Sequence, residues 1–355
     1  MEAHEAQVDH GSIADFLSRE WGRPTILQNK KFYEWQFKGH PLAKGNDRSL
    51  VAIKGNEIIG YVGVNESLLH LNGSSILAGQ YTTWVVSEEE RGWLGMKMID
   101  ALKKKYSALI SMGISVPSLP IHLRLGFQYC KSIPRFIYVA NRSKVKEICS
   151  FDPAYGGFLE KRREKISMAE GSLTESNVFN GEEYLRGLNH YDRGDDFLNW
   201  RYIEHPYFQH QVLRFTFNGK QMTFILRTDS ANSLKIAHIM ELLGDLSILP
   251  ECIMAIEEYV KNVGIDLIDV YNTSSEICAY FWRMGWLSTN DDVYVRVPHL
   301  FHPIELREPP TTSMILWSKV DMHHYLNLPA MYLTKGDCDL DRPTPSLLEM
   351  MGVEL

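Results

Sequence analysis

One ten-residue phrase occurs twice in this chain of 355 residues, and it limits the possible folds more than any other feature. Phe32-Tyr33-Glu34-Trp35-Gln36-Phe37-Lys38-Gly39-His40-Pro41 returns as Phe197-Leu198-Asn199-Trp200-Arg201-Tyr202-Ile203-Glu204-His205-Pro206. The shared frame is F-x-x-W-x-aromatic-x-x-H-P, and Trp35 and Trp200 are 165 positions apart, as are the other three anchor pairs. A second echo follows in the same order: Leu123-Arg124-Leu125-Gly126-Phe127 matches Trp282-Arg283-Met284-Gly285-Trp286. Ordered landmarks at a fixed offset are the signature of a duplicated unit. The chain reads as a tandem duplication whose halves have diverged.

Length and composition agree with two globular domains, since 45% of residues are hydrophobic and 23% charged. A net charge of −7 argues against a nucleic-acid surface. No apolar run approaches the roughly 20 residues that span a bilayer. The start, Met1-Glu2-Ala3-His4-Glu5, lacks the pattern of a secretory signal, so a cytoplasmic protein is expected. Cys130, Cys149, Cys252, Cys278 and Cys338 are scattered without metal-ligand or disulfide spacing, and no metal is expected.

In the first half, residues 11–22 have a helical apolar face of Ile13, Phe16, Leu17 and Trp21. Runs 49–54 and 58–64 flank a Gly55-Asn56 turn and predict a hairpin. Another strand covers 75–86. It ends in Ser87-Glu88-Glu89-Glu90-Arg91-Gly92-Trp93-Leu94-Gly95, and a helix over 96–106 follows. Strand, glycine-bearing turn and helix N-terminus together can cradle a phosphate chain, because the first helical N–H groups lack partners and glycine removes the Cβ. A plain structural loop explains such a turn equally well. A short strand at 107–114, a short helix ending at Gly126 and a closing strand from Ile133 to Val139 complete the half.

This succession resembles the GNAT superfamily of acyl-CoA-dependent N-acyltransferases. That family's loop commonly reads R/Q-x-x-G-x-G/A, and here Arg91-Gly92-Trp93-Leu94-Gly95 is one residue shorter. Its later helix commonly reads Y-x-x-x-G-F, and here His122 stands in the tyrosine position before Gly126-Phe127. The resemblance covers roughly residues 11–140. It implies a fold of two tandem GNAT-like α/β domains, each a mostly antiparallel mixed sheet flanked by helices. The expected layout is 1–145 for an acyl-CoA-binding domain, 146–185 for a connector, 186–300 for a degenerate acceptor-side domain and 301–355 for a tail.

The second half repeats the order, with an Asn218-Gly219 hairpin, a strand over 234–243, a helix over 249–263, a strand over 265–271 and a helix over 275–285. Gly244-Asp245-Leu246 carries no arginine-led glycine loop, and Asp245 would repel a pyrophosphate. Only the first half is therefore expected to hold coenzyme A. The tail, Gly336-Asp337-Cys338-Asp339-Leu340-Asp341-Arg342-Pro343, resembles an ending found with the W-R-Y-x-x-H-P phrase in bacterial sugar N-acyltransferases. Its aspartates lack the glycine and glutamate of an EF-hand loop, and an exposed turn is expected.

Acyl transfer needs a neutral amine, a polarised thioester carbonyl and a stabilised leaving thiolate. The resemblance implies coenzyme A contacts from Trp84, Val85, Val86, Arg91, Gly92, Trp93, Leu94, Gly95, Met96 and Lys97. His122 is the expected acid or base and Glu241 a rival base. Arg201, Asp269 and Tyr271 are expected on the acceptor side, with Arg201, Arg214 or Arg227 meeting a diphosphate. The plainer reading makes Asp269 and Tyr271 strand caps and the two tryptophan phrases core anchors. The resemblance implies transfer from acyl-CoA to a nucleotide-linked amino sugar. The alternatives are acylation of amino acids, peptides or polyamines, and a silent acyl-CoA-binding protein.

Overall fold

The computed structural model describes residues 3–5, 8–152, 163, 171–179, 185, 187–289, 295–301, 304–306, 311–319, 328–337 and 342–355. In chain order its main elements are β1 (Ala3–Glu5), α1 (His10–Trp21), α2 (Lys30–Phe37), β2 (Leu50–Lys54), β3 (Glu57–Leu71) and β4 (Ser74–Val86). Then come α3 (Trp93–Lys105), β5 (Ala108–Met112), α4 (Leu119–Arg124), β6 (Gln128–Cys130), β7 (Arg135–Val139), β8 (Ser172–Glu175) and β9 (Asn189–Tyr191). The second half gives β10 (His210–Phe217), β11 (Lys220–Ala231), β12 (Leu234–Gly244), α5 (Leu249–Asn262), β13 (Leu267–Tyr271), α6 (Ser275–Arg283), β14 (Leu287–Ser288), β15 (Met314–Ser318) and β16 (Met331–Tyr332). The Asn218-Gly219 turn takes φ of 49° and 75° there, the left-handed pair that a tight hairpin demands.

Two mixed sheets result. The first runs β1-β2-β3-β4-β5-β15-β6, with β9 on β3 and β16 on β9; the second runs β14-β7-β13-β12-β11-β10-β8. The halves have exchanged a strand. β7, expected to close the first half, pairs with β13 across Asp269↔Ile137, and β15 from the far end of the chain pairs with β5 across Leu316↔Ile110. This corrects the reading of 133–139 as the first half's last strand. Of the expected connector, 153–162, 164–170 and 180–184 lie outside the described residues; Ser172–Glu175 is the edge strand β8.

The repeated phrase joins the two halves. The Trp35 and Trp200 rings stack with centroids 5.0 Å apart at 18°. Trp35 Nε1 donates to the Trp200 carbonyl at 3.1 Å, and Trp200 Nε1 donates to the Trp35 carbonyl at 2.9 Å. His205 packs on Trp35 at 4.3 Å and His40 on Trp200 at 4.6 Å. Each histidine Nδ1 accepts from the backbone N–H two residues on, at Leu42 and at Tyr207. The tryptophan and histidine contacts are reciprocal, as at a two-fold interface between like subunits. The phrases are thus a junction between sheets, where the sequence alone predicts separate core anchors.

Burial holds several histidines neutral. It pushes His40, His122 and His190 down from 6.5 to about 4, and it lowers His205 as well. An unfolded chain would protonate these rings first, so the stability they allow is complete above pH 6.5 and is lost as pH falls towards 4. Thermal melts should show the unfolding temperature dropping steadily across that window. A flat profile from pH 7 to 4.5 would contradict the burial of these rings.

Candidate functional site

β4 and β5 run parallel only from Ala78↔Ala108 to Gln80↔Ile110. Beyond Gln80 the pairing of β3 with β4 is irregular between Tyr61 and Gly63, and Thr83 takes φ 54°. A bulge of this kind bends a strand out of its ladder. The two strands splay, and the β5-side edge of β4 has no partner strand over 81–86 among the described residues.

A cleft that opens to solvent occupies the splay. Gln80 and Thr82 of β4, Asn65 of β3 and Ile110 to Met112 of β5 form one wall. Phe32, Trp35 and Gln36 of α2 adjoin them. The second half contributes Phe197, Trp200 and Arg201, and the tail contributes Gly336, Asp337 and Arg342. Arg342 donates to Thr82 Oγ1 at 3.2 Å and Thr83 Oγ1 at 3.3 Å, fastening the tail to the bulge. Gly336 and Asp337 thus line a cleft, correcting the expected exposed turn; residues 338–341 lie outside the described residues. Gln36 Oε1, Asn65 Oδ1 and Asp337 Oδ1 are buried with no hydrogen-bond partner. Buried polar atoms are almost always paired, so each one marks a place where a partner fits.

The equivalent splay in the second sheet is filled by the chain itself. Pairing of β12 with β13 stops at Ile239↔Val270. Past that point Tyr332 Oη accepts from the Leu242 N–H and donates to the Leu242 carbonyl, both at 2.9 Å. Glu241 is fully buried there, 2.9 Å from Arg193 Nε and 2.8 Å from Tyr202 Oη and from Tyr332 Oη. Burial raises its pKa against the pull of Arg193. Glu241 is therefore a component of the plug, closed off from any amine, and no base for the open cleft.

The loop after β4 has mixed character. Gly92 takes φ 96°, which only glycine adopts without strain, and α3 starts behind it with no side-chain cap. No described side chain caps its opening turn of Trp93, Leu94 and Gly95, which suits an anion there, while the Met96 N–H donates to the Gly92 carbonyl at 3.3 Å. A Cβ on Gly95 would lie 2.7 Å from the Trp84 ring, so that glycine serves close packing on Trp84. Arg91 sits 3.7 Å from Glu88, and Lys97 lies over the exposed Trp93 ring at 4.8 Å. Glu88, Glu89 and Glu90 form a short helical turn just before, and Lys54 pairs with Glu90 at 2.7 Å. Val85 faces the core beside α1 and α2, whereas Trp84 and Val86 pack towards α3.

His122 sits on α4 against Tyr81, Trp84 and Phe127. Its Nδ1 lies 2.9 Å from the Ser118 carbonyl, while its Nε2 and Trp84 Nε1 are buried without partners. Burial pushes its pKa down to about 4, so the ring is neutral at neutral pH, with Nδ1 towards the Ser118 carbonyl and Nε2 unpartnered.

Of the residues expected on the acceptor side, only Arg201 reaches the cleft. Its Nε donates to the Gly336 carbonyl at 3.0 Å and its guanidinium lies 5.7 Å from the Trp35 ring centroid. Asp269 is fully buried between Arg135 Nη2 at 2.6 Å and His238 Nδ1 at 2.5 Å. Burial opposes its charge, but His238, Lys335 and Arg135 hold it well below the usual carboxylate range. It thus fastens the exchanged strand β7. Tyr271 is buried beside Arg135, Arg227 is spent on Asp229 at 3.0 Å, and Arg214 donates to the Val178 carbonyl on an exposed edge. Sequence reasoning missed Gln36, Asn65 and Arg193 altogether; the tail motif flagged Asp337 and Arg342 without their destination. Among the described residues no cluster of His, Cys, Asp and Glu could hold a metal, and no helix is long and apolar enough to cross a membrane.

No protein-family model and no curated protein sequence matches the chain. Solved structures do. A GCN5-related N-acetyltransferase from Kribbella flavida superposes with TM-score 0.51 at 13% identity, covering 89% of this chain and 72% of that one. A conserved protein of unknown function from Enterococcus faecalis V583, described as a probable N-acyltransferase, gives 0.53 at 11% identity, covering 89% and 71%. At such identities the likeness shows the fold alone: a mixed α/β chain with mixed sheets flanked by helices, as in these neighbours.

Proposed function

We propose that this chain is an acyl-CoA-dependent N-acyltransferase that modifies a small amine, an amino sugar carried on a nucleotide, in the cleft between its halves. One observation carries the reading: the first sheet's splay is open and walled by both halves, while its twin is plugged by the tail. The Gly92 turn and the uncapped start of α3 fit a coenzyme A pyrophosphate, with Arg91 and Lys97 beside it. The unpartnered edge of β4 over 81–86 fits the acyl-pantetheine arm, and its N–H groups would polarise the thioester carbonyl.

In a ternary complex the neutral amine nitrogen attacks the carbonyl carbon, the C–S bond breaks as the C–N bond forms, and the proton shed by nitrogen ends on the departing thiolate. His122 is neutral and buried, so the residues on hand contribute mainly position and polarisation. Holding amine and thioester together supplies much of the rate. Arg201 and Arg342 stand at the wall where an acceptor's diphosphate would lie.

The test is release of coenzyme A thiol from acetyl-CoA with free amino sugars, nucleotide-linked amino sugars, amino acids and polyamines as acceptors. Turnover with the nucleotide-linked amino sugars is expected. Turnover confined to amino acids or polyamines contradicts the acceptor, and none at all contradicts the transferase reading. Gly92→Ala, forced into φ 96°, should raise KM for acetyl-CoA severalfold and change kcat little.

A further inference from the structure

Each cation lining the cleft bonds at least one oxygen of the chain, and four buried oxygens there have no partner: Asp337 Oδ1, Gln36 Oε1, Asn65 Oδ1 and Tyr81 Oη. Arg201 Nε donates to the Gly336 carbonyl, Arg342 donates to Thr82 and Thr83, and Arg193 is shared between Glu241 and Asp337. Asp337 is held from one side only. Its Oδ2 accepts from Arg193 Nη2 at 2.6 Å and from the Thr334 N–H at 2.9 Å, which fixes the carboxyl plane and leaves Oδ1 unpartnered. Gln36 Oε1 and Asn65 Oδ1 line the same cleft, also unpartnered, and Gln36 is only 6% exposed. The carboxylate and the two amide oxygens are acceptors and the Tyr81 hydroxyl can also accept, so a group rich in N–H donors complements them.

We propose that Asp337, with Asn65 and Gln36, is the amine-recognition site of this cleft, selecting ligands that carry a primary ammonium over hydroxyl counterparts of the same shape. The proposal rests on reading the cleft as the acceptor site, and it adds the residues that choose the acceptor's chemical class. A primary ammonium brings three N–H donors and a charge that Asp337 Oδ1 can meet. Arg193 is a positioning residue: it orients Asp337 and touches no ligand. A hydroxyl in the ammonium's place donates once and leaves buried acceptors unpaired, which binding sites penalise strongly.

The test uses equilibrium binding to the full chain without any thioester, so that it fails or succeeds independently of acyl transfer. Two matched pairs serve as probes in calorimetric titrations at pH 7. One is a dTDP-linked 4-amino-4,6-dideoxyglucose against its 4-hydroxyl counterpart; the other is 1,4-diaminobutane against 1,4-butanediol. The wild type is expected to prefer the amine of at least one pair by tenfold or more, and Asp337→Asn to erase that preference with coenzyme A affinity unchanged. Because Asp337→Asn weakens a buried ion pair, Asn65→Leu is the second variant. It removes an unpartnered oxygen, so it should keep the melting temperature and still cut the amine preference at least threefold. Equal affinity for amine and hydroxyl in both pairs overturns the proposal, as does a preference that survives in both variants.

Discussion

Trp200→Ala should destabilise the chain by about 3–5 kcal/mol, the cost of deleting a large buried aromatic side chain. The indole is 5% exposed, stacks on Trp35, donates to the Trp35 carbonyl and carries the edge of His40. Its loss leaves the Trp35 carbonyl unpaired and opens a void at the junction of the halves. Trp35→Ala should cost a similar amount, because the contact is reciprocal. Chemical denaturation of both single variants and the double variant gives their coupling, expected to exceed about 1 kcal/mol for residues in direct contact. Additive effects would mean that the two phrases stabilise their own halves separately.

Gly336→Ala should abolish acyl transfer and lower stability by about 1–3 kcal/mol, as overpacking in a close-packed interior does. A Cβ at this position would clash with Tyr202 Oη and lie 3.0 Å from Glu241 Oε1. The tail would have to back away, taking with it the carbonyl that holds Arg201 and the carboxylate of Asp337. Coenzyme A binding, proposed for the β4 edge and the start of α3, should survive. The thiol-release assay and a coenzyme A titration check both halves of this expectation. Wild-type turnover in this variant would show that the tail is no part of the acceptor wall.

The hairpins and the order of elements are legible in the sequence because they rest on local chemistry: turn glycines and apolar alternation. The strand exchange is not. Arg135–Val139 and Met314–Ser318 are both short apolar runs, and nothing within five residues states which sheet they join. Titratable residues at strand ends are equally visible, but their roles depend on remote partners. Asp269 becomes structural through Arg135, 134 positions away, and Glu241 through Arg193, Tyr202 and Tyr332. For His122 the position could be read while its charge could not, since desolvation by three aromatic neighbours sets it. The tail's aspartates and arginine stood out as a motif, yet only the folded chain brings Asp337 and Arg342 to the open splay.

Amide hydrogen exchange with and without coenzyme A tests most directly whether one splay is open and the other is plugged. Slowed exchange is expected over residues 81–97, where β4 parts from β5 and α3 begins, with unchanged exchange over 240–251. Protection appearing over 240–251, or over neither segment at saturating coenzyme A, would contradict that arrangement.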